Sequence, residues 1–481
     1  MGYSAKSLNL LLFLALVLPL CLGGHSALAA AKSTAGRNTV MMSVDAAFKY
    51  NPELKASQES RQMSAHAVDR AKAGHLPTVT AFAGVGLGSK SDPTLREFRE
   101  DDKIRSAYDA GVRLVQPIWH GGGIQAGVET SLARLESANL LLEDRGAAIA
   151  FDAIVAHTEV VRRTELVQLA KDNVREHAQI LATVKERYDT GVATIGELNQ
   201  IQSRHARAKA TLAAYESALD SVIANYLRVT GKHPSGLIKT PAPKKTFASA
   251  EAVRETTLEF NPALKSSFAE VRAAQGERGQ AESRYHPFID FQTGPSWSER
   301  DSEAGIRTSE YVGELRMNWE FFSGGADRAN VAMSNAKIRQ ARQNMHALMN
   351  VLNEDIESTW SSYRSSLVQA QDYAAAKKAS RLAREDYYRQ FLSAKRSLID
   401  VLDAENDFFY AASQEVLCLG DRVIAAYRML ALSGTLLSSL HIDPLTLRTD
   451  KPTIMEDMPS SIRFGFNSPL EDGQKNTAVK R

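Results

Sequence analysis

Tyr50-Asn51-Pro52-Glu53-Leu54-Lys55 is written a second time, with two substitutions, as Phe260-Asn261-Pro262-Ala263-Leu264-Lys265. The offset of 210 also carries Pro77 onto Pro287, Val79 onto Ile289 and Gly84 onto Gly294. Further along, Trp119-His120-Gly121-Gly122 matches Phe322-Ser323-Gly324-Gly325 at an offset of 203. That second offset runs on without a gap, pairing Thr194 with Ser397, Ile195 with Leu398, Glu197 with Asp400 and Gly231 with Gly434. A single length change of seven residues, between Gly84 and Trp119, reconciles the two offsets. The chain is one structural unit written twice, so the fold of one copy predicts that of the other.

Each copy has the same order of parts. Val44 to Gly74 and Ala250 to Ser283 read as helices, rich in Ala, Glu, Lys and Arg. His75-Leu76-Pro77 and Tyr285-His286-Pro287 close them, because proline cannot continue a helix. Two strands follow in each copy. Along Tyr311 to Trp319, Tyr311, Leu315, Met317 and Trp319 fall on one face, with Glu314, Arg316 and Asn318 on the other. In the first copy Tyr108, Ala110, Val112 and Leu114 alternate with Asp109, Gly111 and Arg113. A period of two predicts strands with one greasy and one wet face. Polar stretches at Ser89–Ser106 and Ser298–Ser309 read as solvent-facing loops between the paired strands.

Gly121, Gly122 and Gly123, and Gly324 and Gly325 in the second copy, mark a sharp strand-to-helix change. A phosphate loop would need Lys-Ser/Thr next, which is missing. From Ile124 to Asp189 there is no proline and glycine only at Gly127, near the start, and Gly146; Ala326 to Ser393 has neither residue. At 1.5 Å per residue such a helix is on the order of 100 Å long. Each returns through a second helix, Ile195 to Thr230 or Leu398 to Ser433, giving two long hairpins with tips at Thr190–Gly196 and Ser393–Ser397. Helices of this length need partners along their whole length, as in a coiled coil.

The remaining segments frame these copies. Lys6, the apolar run Leu8 to Leu22 and Ala27-Leu28-Ala29 predict a cleaved export signal over residues 1–29. The first repeat then covers 30–231, a Pro- and Lys-rich linker 232–248, and the second repeat 249–436. The tail, 437–481, is expected to lie on the surface or be disordered. Loss of Cys21 with the signal leaves Cys418 alone, which excludes an intramolecular disulfide. No later apolar run reaches the length of a membrane helix, so a soluble protein and a β-barrel remain open. A net charge of +2 over 481 residues, pI about 8.3, and no basic block give nucleic acid no purchase. His120, His205 and His233 lack metal-ligand spacing and no nucleophile has a candidate base, so neither an enzyme, a metal site nor a cofactor is expected.

Four strands cannot close a barrel, for which about eight is the practical minimum. Three chains would supply twelve, with the greasy face toward lipid and the helices continuing the cylinder. The expected class is therefore an α+β membrane protein: a homotrimeric twelve-stranded β-barrel, four strands per protomer, continued by a long α-helical coiled-coil tunnel. A periplasmic coiled-coil adaptor would share the helices but would not need amphipathic strand pairs in both copies.

The paired Asn-Pro-x-Leu starts, the Gly-Gly turns and the two tip motifs, Tyr188 to Leu198 and Ser397 to Asp403, resemble the TolC-like outer-membrane channels of efflux pumps and type I secretion systems. The resemblance runs from Val44 to about Gly434. It implies a bacterial outer-membrane location with the helices in the periplasm, a closed tip, and opening by a periplasmic adaptor and an inner-membrane transporter. Carried over by motif, the paired acids of the tunnel constriction fall on Asp400 and Asp403. The basic residue of the tip latch falls on Arg396 and its acid on Glu197, with Tyr188 the aromatic of the turn. Gly191, Thr194, Ala394 and Ser397 are the hairpin-tip positions. The second copy departs twice: Phe391 replaces the tyrosine, removing a hydroxyl tether, and Ala394 replaces Gly191, which predicts a stiffer or differently shaped turn. Residues 398–409 are similar to members serving type I secretion of large adhesins or repeat proteins beside an ABC transporter; the alternative is drug or metal efflux beside a proton-driven pump.

Overall fold

The computed structural model describes residues 39–89, 104–244, 246–300 and 307–448. The expected export signal, and the tail beyond 448, lie outside the described residues. The helices are α1 Val40–Tyr50, α2 Pro52–Ala73, α3 Gly123–Asp189, α4 Ile195–Thr230, α5 Ala250–Phe260, α6 Pro262–Glu282, α7 Ala326–Leu392, α8 Leu398–Leu432 and α9 Leu436–Ser439. The strands are β1 Thr78–Gly88, β2 Arg105–His120, β3 Phe288–Arg300 and β4 Arg307–Asn318. The duplication is therefore visible element by element: two helices, two strands, then a long helical hairpin, twice.

One expectation fails at the start of each copy. The opening helix is two helices, broken at Asn51 and again at Asn261. Each asparagine donates its backbone N–H to close the first helix, to Ala47 O and Thr257 O respectively. Its side chain then caps the next, accepting from Glu53 N–H or Leu264 N–H at 2.8 Å. Proline at the first helical position needs no donor, so the break costs little there. The two breaks have nearly the same backbone angles, φ/ψ −59/119° and −63/119°.

The strands form one antiparallel sheet in the order β1-β2-β3-β4. They run further into the polar stretches than the loop boundaries predicted: β2 begins at Arg105, β3 reaches Arg300 and β4 begins at Arg307. Backbone pairing continues through these polar residues, so polarity alone does not end a strand there. Residues paired in register share a face. Val79 and Leu114, Val85 and Tyr108, Ala110 and Trp297, Phe291 and Leu315, and Ile289 and Met317 are such pairs, and they build one continuous apolar face. Tyr311, Leu315 and Met317 on it are 75, 71 and 64 % exposed. Asp109, Arg113, Asp290, Glu314 and Arg316 occupy the opposite face. A bulge between Pro117 and Trp119 reorients the end of β2. Trp119, Trp319, Phe321, Phe322 and Tyr285 then lie exposed around the strand–helix junction, where an interfacial aromatic belt belongs. Among the described residues no helix is long and apolar enough to cross a membrane.

Gly121 and Gly122 (φ 61 and 81°) and Gly324 and Gly325 (φ 66 and 91°) all take the left-handed conformation, which turns the chain from strand into helix. A Cβ on Gly121 would also meet Ser283 O at 2.4 Å. Each hairpin's long helix, α3 or α7, has 67 residues. The main core lies halfway down, where α1, α3, α8 and α9 bury Val44, Leu142, Ile154 and Leu430. The first part of the tail belongs to this core and is not a surface segment. Leu437, Leu440 and Leu447 are buried, and Leu447 seats where Gly146 leaves no side chain. His157 completes the core with a satisfied polar network. Its Nδ1 lies 2.8 Å from Ser43 Oγ and its Nε2 2.8 Å from Ile238 O, tying α1 and the linker to α3. Burial holds its pKa below the usual histidine range.

Candidate functional site at the hairpin tips

The two tips are built by the same hydrogen bonds, shifted by the repeat. In the first, Val192 N–H donates to Arg187 O at 2.7 Å and Gly191 N–H to Tyr188 O at 2.9 Å. In the second, Lys395 N–H donates to Gln390 O at 2.9 Å and Ala394 N–H to Phe391 O at 3.0 Å. Ala394 (φ 58°) adopts the left-handed conformation of Gly191 (φ 77°), so the turn keeps its shape and Ala394 carries the strain.

Each return helix starts with a capping box. Thr194 Oγ1 accepts from Glu197 N–H at 3.2 Å, and the Glu197 carboxylate accepts from Thr194 N–H at 2.7 Å. Ser397 and Asp400 repeat the arrangement, with Ser397 Oγ–H donating to Asp400 Oδ2 at 2.8 Å. Asp400 therefore has a local structural task besides any at a constriction. The Ser397 hydroxyl bond, then its backbone N–H and Arg396, hold the Asp400 carboxyl below the usual carboxylate range. Asp403, one turn on, lies 3.4 Å from Arg204 of α4. It is the more open of the two, 59 % exposed against 40 % for Asp400.

Arg396 and Glu197 each have partners within their own tip. The Arg396 guanidinium stacks 4.0 Å from the Tyr387 ring centroid and lies 3.7 Å from the Asp400 carboxylate. Its Nε donates to Gln390 at 3.3 Å. Tyr188 is exposed, whereas Phe391 is 4 % exposed in an apolar cluster with Ile180, Val184, Ile201, Leu398, Val401 and Leu402. A tyrosine hydroxyl there would be buried, which explains the loss of the tether residue in the second copy. The cluster brings α3, α4, α7 and α8 together, so one protomer's two hairpins pack at their tips.

Three contributors escaped the sequence reading. Arg187 reaches across the hairpins, its guanidinium 4.6 Å from the Phe391 ring and donating to Phe391 O at 3.0 Å. Arg204 is the partner of Asp403. Glu405, 5 % exposed, lies 3.5 Å from Arg384, whose guanidinium covers the Phe408 ring at 4.4 Å. Burial pushes the Glu405 carboxyl up to about 7, against the attraction of Arg384. The signal for Glu405 was present: Leu398, Val401, Leu402 and Glu405 form one i, i+3, i+4, i+7 stripe. Among the described residues no cluster suited to a metal ion occurs.

This arrangement, a half-greasy sheet carried on two long helical hairpins, has known relatives. The outer membrane efflux protein family matches residues 44–231 and 253–435, which are the two repeats. The outer membrane efflux protein BepC of Brucella suis is 22% identical over 395 residues, 81% of this chain and 83% of that protein. The outer membrane protein TolC of Vibrio cholerae is 20% identical over 396 residues, 80% of this chain and 88% of its own. Among solved structures, the CmeC outer membrane channel of Campylobacter jejuni superposes with a TM-score of 0.73 at 14% identity, covering 82% of this chain and 86% of that one. The chain belongs to the outer membrane efflux protein family, the TolC-like channels of the bacterial outer membrane.

Proposed function

We propose that three copies of this chain close a twelve-stranded barrel and form the outer-membrane exit duct of a type I secretion system. The duct passes a large exported adhesin or repeat protein from an inner-membrane ABC transporter and its periplasmic adaptor to the exterior. The observation that carries the duct is the sheet: one face largely apolar, and β1 and β4 each paired on one side only among the described strands. Lipid satisfies the first feature and neighbouring copies the second. The similarity of residues 398–409 to secretion members supports the protein cargo. A second reading, the outer-membrane channel of a drug or metal efflux pump, is favoured by the similarity to BepC, described as an efflux protein.

At the tips, threefold symmetry would gather six carboxylates from Asp400 and Asp403 into a constriction that attracts cations. Arg396 would latch to Glu197 of a neighbouring hairpin by leaving Asp400 and Tyr387. An exposed pair is worth about 0–1 kcal/mol, weak enough for a partner to open.

Deleting the gene separates the cargo readings. Loss of one large polypeptide from the medium, with unchanged drug and metal tolerance, is expected. Unchanged secretion with increased sensitivity would replace secretion by efflux. In planar bilayers, Asp400→Asn with Asp403→Asn keeps the capping geometry and should weaken block by multivalent cations; unaltered block would remove both residues from the constriction.

A further inference from the structure

The wet face of the sheet continues below the strands. His120 and Phe288 are register partners on that face, their rings stacked at 5.0 Å, and His120 binds the Asp290 carboxylate at 2.7 Å. His120 and Phe288 also line the top of a groove of about 760 Å³ that crosses α2, α3, α6 and α7. Four cationic side chains face into it from four elements: Arg70 of α2, Arg134 of α3, Lys337 of α7, and Arg284 in the turn before β3. All four are exposed. None of the described residues lining the groove is acidic. Two carboxylates adjoin it: Asp290, held by His120, and Glu277 in the adjoining hollow, which pairs with both Arg134 and Lys337. Arg70 and Arg284 have no ion-pair partner among the described residues.

We propose that this groove is a basic neck of the duct, and that it engages acidic stretches of the polypeptide in transit. The inference rests on the duct reading given above, under which three copies present twelve cations and six neighbouring carboxylates around one passage. A small anion is a poor fit. The cations stand on separate elements around an open groove and do not converge on a closed, desolvated pocket. An extended polyanion meets several of them at once, each contact weak and exposed, so it is attracted without being trapped. The neck lies between the barrel and the tip acids, so the passage changes sign along its length.

Purified protein in planar bilayers, with poly-L-glutamate added on the barrel side, tests the assignment. Polyglutamate should block the wild-type channel, and added salt should relieve the block. The double variant Arg70→Gln, Arg284→Gln should need a half-blocking concentration on the order of tenfold higher, the scale of local enrichment such fields produce. The variant Arg70→Lys, Arg284→Lys should block like wild type, and a neutral dextran of matching size should not distinguish the three. Unchanged single-channel conductance in high salt shows that the glutamine variant is intact. Equal half-blocking concentrations in wild type and the glutamine variant, or no block at all in a conducting channel, would overturn the neck alone. A purified protein that forms no channel would overturn the duct reading and the neck with it.

Discussion

Replacing Glu405 with glutamine should make the packing of the hairpin tips independent of pH. The wild-type carboxyl is raised from 4.5 to about 7 because it is buried, with Arg384 attracting it and Glu176 repelling it. At 1.36 kcal/mol per pH unit, holding this group ionised in the packed tip costs about 3 kcal/mol. Because the packed pKa lies above that of the opened chain, the sign is fixed. Below about pH 4.5 both states keep the proton and no cost appears. Between 4.5 and about 7 the opened tip ionises while the packed tip does not, so stability is lost as pH rises; above 7 the loss is complete. Hydrogen exchange of the segment 398–409, corrected for the intrinsic pH dependence, reads this local opening. From pH 5 to pH 8 its opening constant should rise on the order of fiftyfold, part of the cost being already present at pH 5. Glu405→Gln should retain at pH 8 the protection that wild type has at pH 5. Arg384, 21 % exposed, keeps access to water when the charge is removed. An identical pH dependence in wild type and variant, or a wild-type tip better protected at pH 8, would refute the reasoning.

Two further outcomes follow from backbone and packing. Ala394→Gly should stabilise the second turn by about 0.5–1 kcal/mol, the relief of a left-handed alanine less the flexibility gained by the unfolded chain; a lower melting temperature in detergent would contradict it. Leu447→Ala should cost about 2–4 kcal/mol, because the side chain fills the space beside Gly146 in the main core. A melting temperature unchanged by Leu447→Ala would return that segment to the surface.

What was legible in the sequence was local. Asn-Pro pairs, Gly-Gly turns and a period of two each act within a few residues, and the repeat let one copy check the other. The tip positions Thr194 and Ser397 were found this way, and the structure adds that each is the cap of its return helix. The same Asn-Pro pairs also mark the helix breaks at Asn51 and Asn261, an asparagine cap followed by proline at the first helical position, a signal that the helix-rich composition around them masks. What the sequence left out depends on neighbours far along the chain. Arg204 meets Asp403, Arg187 meets Phe391, and Leu447 meets Gly146 only after the hairpins pack. The placement of the tail failed for a related reason: Leu436, Leu437 and Leu440 make too short a helical stripe to announce burial by themselves, yet they pack into the core formed by other segments.

The sheet also sets an order of events for a newly made chain. β1 and β2 come from the first repeat and β3 and β4 from the second, and the central pairing joins Asp109 to Ser298. During synthesis the first hairpin of strands must therefore wait for nearly two hundred residues, mostly helical, before its partner exists. A two-stranded ribbon is marginal alone in water, and closing so long a connection is slow. Long helices form quickly and locally, so they would precede the sheet and bring its halves together. The apolar face would then meet the periplasm last and for the shortest time, which limits the exposure of an aggregation-prone edge before insertion.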